Sequence, residues 1–230
     1  MDEWSTLNNI AYWIGHAVCH QWPSHSYMAF GKPLPLCARC TGLYLGLMGT
    51  LGYILLRGGR TRRGWPSPRV MAVLFLFFSA WAVDGLNSFL AFLGWPHLYT
   101  PHNGLRLATG LLQGTVMGAL MWPLFAQTTW GLLPTERVMT SWSDVLGALA
   151  LDGLWWLAMQ DGDGLRWGLG LFSILGVVIA FTLLVSVALR IFLRRVEKGN
   201  EDGGILLGVS SVLALVILFA IAAARYYWLD

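Results

Sequence analysis

The chain has 230 residues, of which 56% are hydrophobic and only 12% charged, and its mean hydropathy is +0.59. A soluble domain is about a quarter charged, and a disordered chain has low hydrophobicity with high net charge, so both classes are excluded. A formal net charge of +3 gives no basic surface for nucleic acid. Three cysteines are too few for a disulfide scaffold. The composition predicts an integral membrane protein that contacts a lipid bilayer.

Six segments are apolar enough to be considered as membrane spans, each of which needs about 20 mostly apolar residues. In chain order they are Cys37–Leu56, Val70–Gly94, Gly104–Ala126, Val145–Met159, Leu165–Leu189 and Gly204–Ala224. The fourth segment is short and contains Asp152, which costs about 3 kcal/mol at bilayer depth. The predicted fold class is therefore an all-α, multi-pass helical membrane bundle of about six spans.

The residues before the first span predict one further helix. Trp4, Leu7, Ala11, Ile14 and Val18 recur at a heptad-like spacing, with polar residues between them. This pattern is typical of an amphipathic helix that lies on the membrane surface, and equally of a cap packed over the bundle. The start of the chain lacks a basic and a long apolar region, so we expect no cleavable signal peptide.

Lysine and arginine residues predict the orientation, since cytoplasmic loops carry an excess of them. The loops after spans one, three and five hold ten of the 15: Arg57, Arg60, Arg62, Arg63, Arg69, Arg137, Arg190, Arg194, Arg195 and Lys198. The other side holds Lys32, Arg39, Arg106, Arg166 and Arg225. We expect a cell-membrane protein with both termini extracytoplasmic. All five histidines and all three cysteines then lie on the outer side, which we interpret as the working face.

Residues 82–106 and 150–166 share a pattern that predicts a tandem hairpin repeat. Each copy has an Asp-Gly-Leu element, a turn, and an Asn/Asp-Gly-Leu-Arg element, so that Asp84 precedes Arg106 and Asp152 precedes Arg166. We expect each Asp to neutralise the Arg of its own hairpin, because neither charge alone is comfortable near the membrane. Glycines spaced four residues apart predict close helix contacts; they are Gly42/Gly46, Gly110/Gly114/Gly118 and Gly164/Gly168.

The cysteines and a neighbouring histidine form the sharpest chemical pattern. Cys19 and His20 precede Cys37 and Cys40, and a Cys₃His set is one that zinc favours. A redox pair is the alternative: Cys37 and Cys40 begin a helix, whose positive end lowers a thiol pKa, and such a pair can work beside a quinone with Cys19 as the exchanging thiol. The cysteines could also be purely structural.

The stretch CHQWPSHSYMAFGKPLPLCARCTGLYLG, followed by DGLN and NGLRLATGLLQG, resembles a bacterial membrane family called domain of unknown function 2085, over about residues 19–118. The positions that carry the resemblance are Cys19, His20, Gln21, Cys37, Arg39, Cys40, Gly42, Tyr44, Gly46, Asp84, Gly85, Asn103 and Arg106. One departure is His25, which precedes Ser26 and Tyr27 where the family leads us to expect a basic residue. The resemblance implies a shared site without naming its task.

These observations divide the chain into an extracytoplasmic segment (1–36), a family-like three-span core (37–126) and a second half with the repeat-like hairpin and the final span (127–230). We expect a zinc site of Cys19, His20, Cys37 and Cys40 beside a polar cluster. In that cluster Asp84 would act as base and Arg106 as anion binder, and Asn87, Asn103 and Arg106 would hold a lipid or other anionic substrate. A thiol–disulfide oxidoreductase and a non-catalytic subunit or solute carrier are the alternatives, and a homo-oligomer is compatible with all three.

Overall fold

The computed structural model describes residues 3–59, 61–130, 136–193 and 203–229. Within these ranges the chain is mostly helical. The helices are α1 (Glu3–Val18), α2 (Ala38–Leu56), α3 (Pro68–Phe92), α4 (Asn103–Trp130), α5 (Trp142–Ala158), α6 (Asp163–Phe192) and α7 (Gly203–Leu229). Two small sheets pair β1 (Met28–Ala29) with β2 (Lys32–Pro33) and β3 (Arg62–Gly64) with β4 (Glu136–Arg137).

Five of the described helices are long and apolar enough to cross a membrane: α2, α3, α4, α6 and, over Gly204–Trp228, α7. The predicted all-α, multi-pass membrane fold is confirmed. The fourth predicted span forms α5, which has 17 residues and is shorter than the other five. The α3 and α7 helices expose many large apolar side chains, as expected of surfaces that face lipid.

Contacts at its two ends place α5 along the length of the bundle. Near its start, Asp144 accepts a hydrogen bond from Tyr53 at the far end of α2 (3.2 Å). Near its finish, the Trp156 indole donates to the carbonyl oxygen of Gly104 at the start of α4 (3.2 Å). We call the end of the bundle where α2 and α4 begin the Cys end, and the opposite end, where α2 finishes, the Arg57 end.

The centre of the fold is a close, parallel contact between α2 and α4. A Cβ atom built on Gly110 would lie 2.2 Å from the carbonyl oxygen of Arg39, and one on Gly42 would lie 2.3 Å from that of Leu107. Only glycine lets the two backbones approach this closely, so the predicted role of these glycines is confirmed. The same prediction is wrong for Gly164 and Gly168, because a Cβ at either position would meet nothing within 4 Å.

The predicted N-terminal helix is α1. Its Ala11 and Ile14 are buried, whereas Leu7 remains 55% exposed, and the side chain of Trp4 lies outside the described residues. The helix packs on α6 and α7. The helix is therefore a cap on the bundle and keeps an exposed apolar edge. Its packing on the bundle brings its last residue, Val18, next to the cysteines.

The loops after the first and third predicted spans meet at the Arg57 end, where β3 pairs with β4 in parallel register. Arg62 forms an ion pair there with Glu136 (3.5 Å). Of the residues used to predict orientation, Arg60, Arg194, Arg195 and Lys198 lie outside the described residues. The direction of insertion into the membrane and the division of the chain into three parts at 36/37 and 126/127 stay predictions. The second half is in contact with the first, since α5 and α6 pack directly on α2 and α4.

Candidate functional site: a thiol cluster beside a buried arginine

Three cysteines converge at the Cys end of the bundle. The Sγ atoms of Cys19, Cys37 and Cys40 all lie within 4.8 Å of one another. All three are free thiols; Cys19 and Cys37 are buried and Cys40 is partly exposed. Cys19 follows the end of α1, Cys37 is the N-cap of α2, and Cys40 lies in the first turn of α2. Cys19 is 18 and 21 positions from the other two in the chain, and it meets them because the end of α1 is hydrogen-bonded to the segment that leads into α2.

Backbone N–H groups surround the sulfur of Cys19. The N–H of Cys37 donates to it at 3.2 Å and that of Gln21 at 3.5 Å. Gln21 has a φ of 54°, in the left-handed region that a non-glycine residue seldom adopts. The chain therefore bends sharply at Gln21, two residues after Cys19. These two donors hold the Cys19 sulfur in place beside Cys37.

The side chain of Gln21 fixes the bend in place. Its amide nitrogen donates to the carbonyl oxygens of Tyr12 (2.9 Å) and Pro35 (2.8 Å), which ties α1 to the segment that leads into Cys37. Gly15 makes this approach possible, because a Cβ there would lie 2.4 Å from the Pro35 oxygen. Within the Cys-His-Gln element, Gln21 therefore has a structural role.

Helix α7 also holds Cys19. One guanidinium nitrogen of Arg225 donates to the carbonyl oxygen of His16 (2.7 Å) and to that of Cys19 (3.1 Å). These carbonyls are at the C-terminal end of α1, where helices leave acceptors without partners and favour a cation. The last helix of the chain thus positions a residue of the thiol cluster.

His20 lies next to the cluster and outside the group of three sulfurs. Its Nδ1 accepts a hydrogen bond from the backbone N–H of Trp22 (3.0 Å), so a neutral ring carries its proton on Nε2. The ring also hydrogen-bonds to Cys37. In this arrangement His20 is a donor to the Cys37 sulfur, whereas the sequence pattern predicts it as a fourth metal ligand.

The three thiols do not share their protons equally. Hydrogen bonds from Cys19 and then from Cys40 hold the pKa of Cys37 well below its ordinary value, with a smaller contribution from His20. The hydrogen bond to Cys37 raises the pKa of Cys19 to about 11. Hydrogen bonds between the thiols thus favour a thiolate within the cluster, the form that binds a metal.

Asp84 is paired with Arg39, the residue between Cys37 and Cys40. The Nη2 of Arg39 contacts Oδ2 of Asp84 in a close ion pair, and its Nε donates to the same oxygen at 3.1 Å. Thr109 also donates to Oδ2 (3.1 Å), and Tyr99 donates to Oδ1 (2.9 Å). Burial, and then the bond to Asp84, raises the pKa of Tyr99 to about 12. Asp84 is 1% exposed and both its oxygens are occupied. The predicted Asp84–Arg106 pair is wrong: Asp84 fastens α3 to the start of α2.

Arg106 is consequently a buried cation without a carboxylate partner among the described residues. It is 7% exposed, and its Nη1 donates to Oδ1 of Asn103 (2.9 Å), while its buried Nε has no partner. Its charge interacts with the thiolate of Cys37 and, after desolvation, is the largest cause that lowers the pKa of His25. Arg106, His25 and Cys37 thus share one electrostatic environment.

The two asparagines of the predicted cluster are engaged with the backbone. Asn87, which is 2% exposed, donates to the carbonyl oxygen of Tyr99 (2.9 Å) and accepts from the N–H groups of Leu98 (2.7 Å) and Tyr99 (3.3 Å). Asn103 donates to the carbonyl oxygen of Ser26 (3.1 Å). Asn87 holds the α3–α4 connection, and Asn103 presents Arg106.

The second copy of the repeat pattern has different contacts. Asp152 is 5% exposed and accepts from Thr115 (2.8 Å), which accepts in turn from Thr50 (3.1 Å). Arg166 pairs with Asp163 (3.4 Å) and donates to several backbone carbonyls. The predicted Asp152–Arg166 pair is therefore wrong. The two copies share one contact within the Asn/Asp-Gly-Leu-Arg element: its Arg donates to its first residue, as Arg106 does to Asn103 and Arg166 to Asp163.

Sequence reasoning missed the partners that build the site. Arg39 is visible as part of the Cys-x-Arg-Cys element, but its pairing with Asp84 is not. Tyr99, Thr109 and Arg225 carry no local signal. Their roles depend on which helix faces meet.

The fold and these contacts define a multi-pass helical membrane protein with a cluster of three thiols at one end. Residues 19–120 match the model of a family described as "Predicted membrane protein (DUF2085)". That range contains the three cysteines, Arg39, Asp84 and Arg106, and it ends before α5.

Two archaeal proteins are similar to the same part of the chain. An uncharacterised protein of Methanocaldococcus jannaschii is 27% identical over 122 residues, which cover 53% of this chain and 72% of the relative. An uncharacterised protein of Methanothermobacter thermautotrophicus is 27% identical over 103 residues, which cover 45% and 83%. The expectation of a bacterial family is not confirmed by these archaeal relatives. No solved structure matches the chain.

Proposed function

We propose that Cys19, Cys37 and Cys40 form a metal centre for zinc, and that this centre acts with Arg106 on a lipid or other anionic substrate at the outer face of the membrane. The observation that carries the proposal is the convergence of three free thiols, with Sγ atoms within 4.8 Å of one another. Zinc–sulfur bonds of about 2.3 Å in a tetrahedral site separate the sulfurs by about 3.8 Å. The cluster needs only small side-chain movements to reach that spacing.

The surrounding charges support the proposal. One Zn²⁺ with three thiolates has a net charge of −1, and Arg106 is a buried cation that lacks a carboxylate partner among the described residues. The two charges offset each other in a place where either alone is costly. Arg39 contributes nothing to this balance, since Asp84 already neutralises it.

Three protein ligands are typical of catalytic zinc sites, which keep a fourth position for water or substrate. The unpartnered Nε of Arg106 can donate to an anionic group, and Asn103 orients the guanidinium by accepting from Nη1. Asp84 has no free oxygen to act as a base, so in this proposal it positions Arg39 and the first turn of α2. Bound zinc supplies Lewis-acid chemistry, and Asn87 supports the site from a distance through the α3–α4 connection.

The test is elemental analysis of the full chain, purified without chelators and then given zinc. We expect about one zinc per chain, with loss to below a tenth in Cys19→Ser, Cys37→Ser and Cys40→Ser. His97→Gln is the matched control, because this histidine lies at the same end and outside the cluster. His20→Gln is expected to retain zinc with an affinity lowered about 10-fold, as for a residue that contacts a ligand without binding the metal.

Less than half an equivalent of zinc in the reconstituted wild-type protein would overturn the metal proposal. The oxidoreductase alternative predicts a different state of the cysteines. Cys37 and Cys40 would form a disulfide while two electrons and two protons pass to a quinone. Thiol trapping in growing cells distinguishes the two, since a zinc centre keeps all three thiols reduced and protected from alkylation until zinc is chelated.

A further inference from the structure

A groove at the Cys end, separate from the thiol cluster, has the features of a ligand site. It has a volume of about 520 Å³ and lies between α1, the β1–β2 hairpin and α6. Its lining is mostly aromatic and aliphatic, with a single charged residue, and includes Tyr12, Phe30, Lys32, Leu34, Pro35 and Trp167. This volume is within the range of sites that hold small molecules, about 300–1,000 Å³. We call it the Lys32 groove.

The walls of the Lys32 groove are fixed by contacts that use their own polar atoms. The Tyr12 hydroxyl donates to the carbonyl oxygen of Pro33, and the Trp167 indole donates to Oδ1 of Asn8 (3.0 Å). At the hairpin tip, the N–H of Phe30 donates to Oδ2 of Asp163 (2.9 Å). Phe30 has a φ of 50° and is 64% exposed, so this tip holds an apolar ring in the open by means of a strained backbone.

The position of Trp167 sets the depth of the groove in the membrane. Trp167 lies in the second turn of α6, one of the helices able to span a bilayer, and Leu34 contacts the next turn at Gly170. The start of a spanning helix is at the level of the lipid headgroups, where tryptophan and tyrosine are enriched. The molecules that reach such a groove at the highest concentration are lipids.

Charge then selects among lipids. Lys32 is exposed and has no ion-pair partner among the described residues, and it is the one charged residue of the lining. Asp163, an acidic side chain at the hairpin tip, is already occupied by Phe30 and Arg166. A lysine near the membrane surface favours an anionic headgroup, with an effect of about fivefold in affinity.

We propose that the Lys32 groove binds an anionic phospholipid, with the phosphate at Lys32 and the glycerol and first acyl carbons against Tyr12, Phe30 and Trp167. This site shares no residue with the zinc proposal and does not depend on it. A lipid bound there would lie against the segment that leads into Cys37, because Pro35 of the groove is two residues before Cys37.

The experiment measures tryptophan fluorescence of the full chain in detergent, titrated with brominated phosphatidylglycerol or brominated phosphatidylcholine. The Trp167 contribution is the difference between wild type and Trp167→Phe. We expect quenching of this contribution with an affinity about fivefold higher for phosphatidylglycerol. Lys32→Gln should remove the preference and Lys32→Arg should keep it. Arg69→Gln, which removes an exposed cation near the Arg57 end, is the matched control and should also keep it.

Equal quenching by the two lipids in the wild-type protein would overturn the proposal in favour of a zwitterionic or unselective surface. A preference that survives Lys32→Gln, or a Trp167 signal that neither lipid quenches, would also overturn it. If Trp167→Phe does not fold, lipid retention by native mass spectrometry of Lys32→Gln against wild type gives the same decision. The zinc content of Lys32→Gln should be unchanged, so failure here is distinguishable from failure of the metal proposal.

Discussion

Replacing Asp84 by Asn should cost the protein about 3 kcal/mol of unfolding free energy. The carboxylate is 1% exposed and lies 3.1 Å from Nε of Arg39, whose side chain is 21% exposed. At an effective dielectric constant of about 20, charges at this separation attract by about 5 kcal/mol before desolvation is counted. Breaking a buried pair typically costs 3–5 kcal/mol, and the partial exposure of Arg39 puts this pair at the lower end.

A double-mutant cycle of Asp84→Asn and Arg39→Gln, followed by equilibrium unfolding in detergent, isolates the pairwise interaction. We expect a coupling energy of about 2–3 kcal/mol. The Arg62–Glu136 pair is the control, because Glu136 is 72% exposed and the atoms are 3.5 Å apart, so its coupling should stay below about 1 kcal/mol. Equal couplings in the two cycles would refute the reasoning that burial gives the Asp84 pair its strength.

Two further predictions concern packing and the thiol cluster. Gly110→Ala should lower the free energy of unfolding by about 2–3 kcal/mol, because its Cβ would lie 2.2 Å from the Arg39 oxygen. Gly85→Ala, whose Cβ would meet nothing within 4 Å, should raise it by about 0.5–1 kcal/mol. Thermal unfolding of both variants checks this, and similar midpoints would contradict it. Arg225→Gln removes the donor to the carbonyls of His16 and Cys19 and should weaken zinc retention about 10-fold in competition with a chelator; unchanged retention would show that α7 does not position Cys19.

Local physics decided the class of the protein and most of its helices. A run of apolar residues with few charges must form a helix in a bilayer, because no water is present to satisfy the backbone. A small residue at every fourth position, as from Gly42 and from Gly110, indicates a helix contact because it lets two backbones approach closely. The Cys-x-x-Cys spacing of Cys37 and Cys40 was enough to predict a thiol site, but tertiary contacts bring Cys19 to it from 18 residues away.

The two wrong charge pairings have one cause. Asp84 and Arg106 are neighbours in a hairpin pattern, and the pattern alone favours their pairing. The parallel contact of α2 with α4 instead places Arg39 next to the Asp84 carboxylate. Nε and Nη2 of Arg39 both donate to Asp84, and Nη2 also donates to Ser88 (2.9 Å). Asp152 likewise meets Thr115 of α4, and Arg166 pairs with Asp163 instead.

Sequence by itself therefore determined that this is a helical membrane protein with its cysteines gathered at one end, since those properties follow from composition and short-range spacing. Only the tertiary structure decided which of two arginines Asp84 neutralises and, as a result, which one stays uncompensated. Helix partners and rotations are set by packing between residues far apart in the chain. That packing, so close that a Cβ on Gly110 would lie 2.2 Å from the Arg39 oxygen, gives Asp84 to Arg39 and leaves Nε of Arg106 without a partner.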